Sequence, residues 1–234
     1  MEPQAAVVEA PHSAAESLFQ QGRQQYRRFD MPGYAEAVAS YLEAQESDPG
    51  LAKVAVGLAE TYALWGFRRE ISGKESRSYY ELAYEAAQRV HEAAPELPEA
   101  HRAMAKAMRY GGFGTAEERL KESREAMRLN PYDVENCHEL WCASGYKPED
   151  PAIYKAMALD PDFFPAPNDM GVALCAAGRL QEAAYYFTKA LQILPRHPLA
   201  LCNLAMLMAG TGRTAEAKIL LERDADPEDP LVSR

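Results

Sequence analysis

Four residues able to bind metal or move protons fall close together: Cys137, His138, Glu139 and Cys142. On a helix, His138 and Cys142 stand four apart and share a face. Zinc usually takes three or four protein ligands. The run HELW at 138–141 also lacks the second histidine of an H-E-x-x-H site. The spacing alone therefore predicts no metal centre and no cofactor. Gly111, Gly112, Phe113 and Gly114 make a glycine-rich turn, but the Lys-Ser/Thr ending of a phosphate-binding loop is missing. No G-x-S-x-G nucleophile motif occurs. Paired carboxylates such as Glu117-Glu118 sit in charged runs that suggest no cleft. The expectation is a chain that is not an enzyme.

A different chemistry is offered by Arg102, Lys106 and Arg109. Spaced four and three apart, they lie on one face of a helix. The chain has 25 Lys and Arg against 35 Asp and Glu, a net charge of −10. The stripe is therefore a local reversal of sign. It would suit carboxylates or an acidic peptide, because arginine pairs bidentately with them. The bland alternative is a face neutralised by glutamates such as Glu99 or Glu139. Arg68, Arg69, Lys74 and Arg77 either extend the patch or belong to a charged loop.

The acidic balance argues against a large phosphate-tracking face, so no nucleic-acid partner is expected. No apolar run approaches a membrane span. The start, MEPQAAVVEAPHSAAESLFQ, has neither the basic opening nor the apolar run of a signal peptide. Four cysteines, Cys137, Cys142, Cys175 and Cys202, are too sparse for a disulfide framework and read as free, buried thiols. A cytoplasmic protein is expected.

What positions these residues is an internal repeat. Gly178-Arg179 recurs as Gly212-Arg213, 34 residues on, and Glu182-Ala183 recurs as Glu216-Ala217. At the same offset Met170-Gly171 becomes Leu204-Ala205, Leu174 becomes Met208, Phe187 becomes Leu221 and Pro161 becomes Pro195. Closing prolines recur further back, at Pro49, Pro95 and Pro131. Helix-breaking Gly178 and Gly212 mark a turn inside each unit. The small residues Gly171, Ala183, Ala205 and Ala217 mark close helix approach, and one amphipathic hairpin cannot cover its own apolar face without the next.

This pattern resembles the tetratricopeptide repeat, a 34-residue helical hairpin. The segment from Phe164 to Pro195 fits best, with Met170-Gly171, Leu174, Ala183, Phe187, Ala190 and Pro195 at the family's packing positions. Pro167 departs from its large opening residue. The resemblance implies an all-α fold, a right-handed α-α superhelix of antiparallel hairpins. About six units are expected, at 15–49, 50–95, 96–131, 132–161, 162–195 and 196–229, between an arm at 1–14 and a tail at 230–234. The second unit carries a surplus of about one third of a repeat, assigned to Gly66–Arg77. In the fourth, Trp141 stands where a small residue is usual. Tyr79, Tyr80 and Tyr84, spaced as on a helix, read as packing residues.

The resemblance also implies a protein-binding inner face built from the first helix of each unit. Carried over to this chain, its candidate residues are Lys53, Glu60, Arg102, Lys106, Arg109, Tyr110, His138, Asn168, Val172, Asn203 and Met206. The implied partner is a peptide or helix of another protein, with an acidic one suited to the arginines. A family clamp for terminal carboxylates is not expected, since Pro165 and Leu199 replace its lysines. The alternative is a self-assembling scaffold subunit that oligomerises through the last repeat, where Ile219, Leu220 or Leu221 would be left uncovered.

Overall fold

The computed structural model describes residues 13–224. Among them are twelve helices and no strand. In chain order these are α1 (Ala14–Tyr26), α2 (Met31–Ser47), α3 (Ala52–Ile71), α4 (Arg77–Ala93), α5 (Pro98–Gly111) and α6 (Ala116–Leu129). They continue as α7 (Val134–Ala143), α8 (Pro151–Leu159), α9 (Pro165–Ala176), α10 (Leu180–Ile193), α11 (Pro198–Gly210) and α12 (Thr214–Asp224). Each odd helix packs on the even helix that follows, and successive pairs stack into a solenoid. The expected arm at 1–14 and tail at 230–234 lie almost wholly outside the described residues.

Local chemistry sets the helix ends. Asp30, Asp133 and Asp150 accept hydrogen bonds from backbone N–H groups in the first turns of α2, α7 and α8. Thr115 and Glu118 form a reciprocal capping box at α6. The closing prolines Pro49, Pro95, Pro131, Pro161 and Pro195 lie in the links, while Pro98, Pro151, Pro165 and Pro198 open the helices that follow. Gly178 and Gly212 adopt φ of 74° and 84° in equivalent turns, where a side chain would be strained.

Packing follows the small-against-large logic of the repeat. Phe187 on α10 lies so close to Gly171 on α9 that a Cβ there would come 2.5 Å from the ring. Tyr41 on α2, fully buried, presses likewise on Gly57 of α3. Trp141 is also fully buried, and its indole N–H donates to the Lys147 carbonyl at 2.8 Å. The missing small residue is thus accommodated beside α7 and α8, the two shortest helices. Tyr80 is buried, Tyr84 stacks on Phe113 at 4.4 Å and Tyr79 packs against Trp65 at 4.9 Å.

One expectation is corrected. The surplus of the second unit is mostly not a loop. It extends α3 to 20 residues, ending at Ile71, and only 72–76 links it to α4. The run from Ala52 contains no proline and no interior breaker but Gly57 and Gly66, both needed for aromatic contact. Arg68, which could have belonged to a charged loop, is therefore a helical residue, and it is 4% exposed.

A second feature goes beyond stacking. The tip of the first hairpin reaches across to the fifth unit. The Phe29 ring meets Phe163 at 6.4 Å and Phe164 at 5.7 Å. Phe29 itself holds φ of 53°, an unfavourable conformation for an aromatic residue, sustained by this packing. No helix among the described residues is long and apolar enough to cross a membrane. Cys137 and Cys142 are buried, Cys175 and Cys202 are half-buried, and all four are free thiols.

Candidate functional site

The odd helices bring ten of the eleven candidate residues onto or beneath one face, but in two different states. Arg102 and Lys106 are not displayed to solvent. Arg102 is 3% exposed and donates to Glu60 at 2.7 Å, to Asp133 at 2.9 Å and to Asn136 at 2.9 Å. Lys106 lies 3.3 Å from Glu60 and 3.5 Å from Glu135, and donates to the Tyr26 hydroxyl at 3.1 Å. Arg23 of α1 completes the set, bridging Glu60 at 3.0 Å and Glu135. Three cations thus face the three carboxylates of Glu60, Glu135 and Asp133.

Burial is costly for each of these ions, and mutual pairing reverses its effect. Burial would raise the Glu60 and Glu135 pKa values, but Arg102, Lys106 and Arg23 hold both carboxyls below the usual range. The same carboxylates raise Arg102 and Lys106 despite burial. The expectation that this stripe meets an acidic partner is corrected for Arg102 and Lys106, whose charge is spent inside the fold. The sequence could not show this, because Glu60 lies 42 residues before Arg102 and Glu135 29 residues after Lys106. Lys53 is the outlying candidate, exposed at the rim of a separate cavity of about 410 Å³ beside Arg23 and Arg102.

Arg109 is paired differently. Its guanidinium holds Glu139 bidentately at 3.0 and 2.7 Å, donates to the Tyr146 hydroxyl at 3.0 Å and lies 4.2 Å over the Tyr110 ring. The suspected cluster at 137–142 is dispersed accordingly. Glu139 serves Arg109, and Cys137 Sγ faces the Pro131 carbonyl at 3.8 Å. His138 Nε2 sits 3.1 Å from Asp169 of α9, and Cys142 Sγ is 3.8–3.9 Å from both its ring nitrogens. Burial works against the imidazolium, but Cys142 and Asp169 overcome it and push the His138 pKa up to about 10.

The remaining candidates converge on open space. A cavity of about 690 Å³ is lined by Phe67 and Ile71 of α3, Arg109 and Tyr110 of α5, and Asn168, Asp169 and Val172 of α9. Leu199, Cys202, Asn203 and Met206 of α11 complete it, with Tyr146 between α7 and α8. Met206 is 65% exposed and Val172 48%. Asn203 donates to Asn168 at 3.1 Å, and Asn168 donates to Asp169 at 2.9 Å, so the asparagines of adjacent units form a hydrogen-bonded ladder. Phe67, Ile71 and Tyr146 were not foreseen. The extended α3 brings the first two, and Tyr146, at φ of 56°, comes from the turn after α7.

Deeper in, a space of about 60 Å³ adjoins this cavity, sharing Phe67, Arg109, Tyr110 and Asn168, and reaching Arg68, Lys106 and His197. Arg68 Nε and Nη1 are buried there and have no hydrogen-bond partner among the described residues. No carboxylate among the described residues forms an ion pair with Arg68, in contrast to Arg102, Lys106 and Arg109.

Residues 174–233 match the sequence family described as tetratricopeptide repeat. No curated protein matches the chain. Among solved structures, PilW, a widely conserved type IV pilus biogenesis factor, aligns with a TM-score of 0.62 at 17% identity, over 95% of this chain and 98% of that one. TTC0263, a thermophilic protein of this repeat class from Thermus thermophilus, aligns with a TM-score of 0.58 at 18% identity, over 88% and 100%. The human IFIT1 dimer with m7Gppp-AAAA gives 0.72 at 14% identity, over 89% of this chain and 49% of that one. At these identities the likeness is one of fold. The chain thus carries a tetratricopeptide-repeat sequence at 174–233, and the same helical hairpins continue through the rest of the described residues as a solenoid of that fold.

Proposed function

We propose that this chain is a non-catalytic interaction module that holds an acidic segment of a partner protein in the cavity between α3, α5, α9 and α11. The repeat fold builds protein-binding surfaces in general. The observation that carries the specific reading is Arg68, a buried guanidinium in no ion pair with a carboxylate of the described residues, set at the inner end of a cavity whose mouth is apolar. A partner Asp or Glu side chain would supply the missing countercharge, and bidentate pairing favours a carboxylate over a neutral group. Val172 and Met206 would cover an adjacent apolar side chain, methionine adapting its shape to it. The Asn168–Asn203 ladder offers amide groups to a peptide backbone.

Selection of a displayed random-peptide library on the full chain tests this. The expected outcome is a set of peptides sharing an acidic residue next to an apolar one, with binding lost in Met206→Glu and in Arg68→Gln. Peptides without an acidic residue, or binding unchanged in both variants, would overturn the reading. If the chain enriches no peptide and instead elutes as a dimer that Ile219→Glu dissociates, the scaffold alternative takes its place.

A further inference from the structure

Three helices of the second and third units bring two imidazoles and a carboxylate to one point, on a face the proposed partner does not use. His91 stands near the end of α4, His101 in the first turn of α5 and Glu122 in the middle of α6. His91 Nε2 lies 3.0 Å and His101 Nδ1 2.6 Å from the same oxygen, Glu122 Oε2. One potential ligand atom from each of the three lies within 4.8 Å of the others. Nothing in their sequence spacing marks them as a set.

The hydrogen bonding around His101 is informative. Its Nε2 lies 2.8 Å from the Pro95 carbonyl oxygen, which can only accept, so Nε2 carries a proton. In the neutral ring Nδ1 then bears a lone pair, and that lone pair faces a carboxylate oxygen. Two electron-rich atoms so placed call for a shared cation, either a proton or a metal. An N–H donated to a backbone carbonyl, with the other nitrogen aimed at a carboxylate-bearing site, is also the arrangement that orients metal-ligating histidines. The side chain of His91 is 30% exposed and that of Glu122 15%, which leaves an approach from solvent and room for a water ligand.

We propose that His91 Nε2, His101 Nδ1 and Glu122 form a binding site for a divalent late first-row metal ion, zinc foremost. Two nitrogens and one carboxylate oxygen with a water are a donor set suited to zinc. Tetrahedral coordination places ligand atoms about 3.4 Å apart. The two histidine–glutamate distances, 3.0 and 2.6 Å, would therefore lengthen slightly as the ion enters. The ion would tie α4, α5 and α6 together, joining the second unit to the third. The other convergent set, His138, Cys142 and Asp169, is less suited. Cys142 Sγ is almost equidistant from both nitrogens of its histidine and so lies along neither lone pair.

Titration of the full chain with zinc alone, followed by calorimetry and thermal melting, tests the site, with cobalt as the spectroscopic probe. Expected are saturable binding of one ion and a Tm raised by about 5 °C at 100-fold excess over Kd. The cobalt spectrum should show nitrogen and oxygen ligation with no sulfur charge-transfer band. His91→Ala, which removes a partly exposed ligand, and Glu122→Gln, which keeps hydrogen bonding, should each weaken binding by about tenfold or more while leaving helicity intact. Absence of saturable binding would overturn the proposal. So would a sulfur band abolished by Cys142→Ala, or wild-type affinity in both variants.

Discussion

His197 Nε2 donates a hydrogen bond to the backbone carbonyl of Phe29 at 2.9 Å, across 168 positions of sequence. A solenoid in which each unit touched only its neighbours would hold no such contact. The bond joins the tip of the first hairpin to the start of the last one described, while Phe29 wedges against Phe163 and Phe164. The inner end of the candidate cavity is thus walled by the tip of the first hairpin.

The burial of His197, opposed by its bond to the Phe29 carbonyl, makes the protein sensitive to acid. Burial lowers the His197 pKa from its ordinary 6.5 to about 4, because the second ring nitrogen is buried without a partner among the described residues. A neutral ring is needed in the folded state, and the unfolded chain binds the proton more readily. Stability is therefore full above pH 6.5 and is lost as pH falls through about 4, by ~3 kcal/mol from this group. Denaturant titrations from pH 7 to pH 4 should show this slope, and His197→Gln should flatten it. An unchanged slope would place the acid sensitivity elsewhere.

Glu60 holds Arg23, Arg102 and Lys106 together from a fully buried position. Glu60→Ala leaves three cations facing two carboxylates in a region shielded from water. A loss of about 3–5 kcal/mol is expected, read as a lower midpoint in urea. A change below 1 kcal/mol would mean that water enters and screens the cluster.

Gly171→Val tests the repeat packing itself. The Phe187 ring occupies the space a side chain would need, so overpacking should cost about 1–3 kcal/mol or more. The measurement is thermal melting. Gly171→Val paired with Phe187→Leu should recover part of the loss, which a purely local helix-propensity effect would not allow.

Arg68→Met should stabilise the free chain, by roughly 1–3 kcal/mol, because a buried guanidinium whose Nε and Nη1 lack hydrogen-bond partners among the described residues is replaced by an apolar side chain of similar length. The same variant should bind acidic peptides less well. A gain in Tm together with a loss of binding is the signature of a residue kept for recognition at a cost in stability. A fall in Tm would show that Arg68 supports the fold.

The repeats were legible because their cause is local and periodic. Met170-Gly171, Ala183 and Phe187 recur one unit later in type and spacing, and capping residues and prolines mark the helix ends without reference to distant chain. The ladder residues Asn168 and Asn203, with Val172 and Met206, were found for the same reason, since equivalent positions in successive units share a face. The state of Arg102 and Lys106 was not legible. Their neutralisation depends on Glu60 and Glu135 arriving from flanking units, and their enclosure on Arg23 and Tyr26 of the first hairpin. The convergence of His91, His101 and Glu122, the approach of Phe29 to His197 and the isolation of Arg68 have the same origin. Sequence period fixes which residues point inward, but which inward charges meet is set by how the stacked hairpins curve, and that is a property of the whole array.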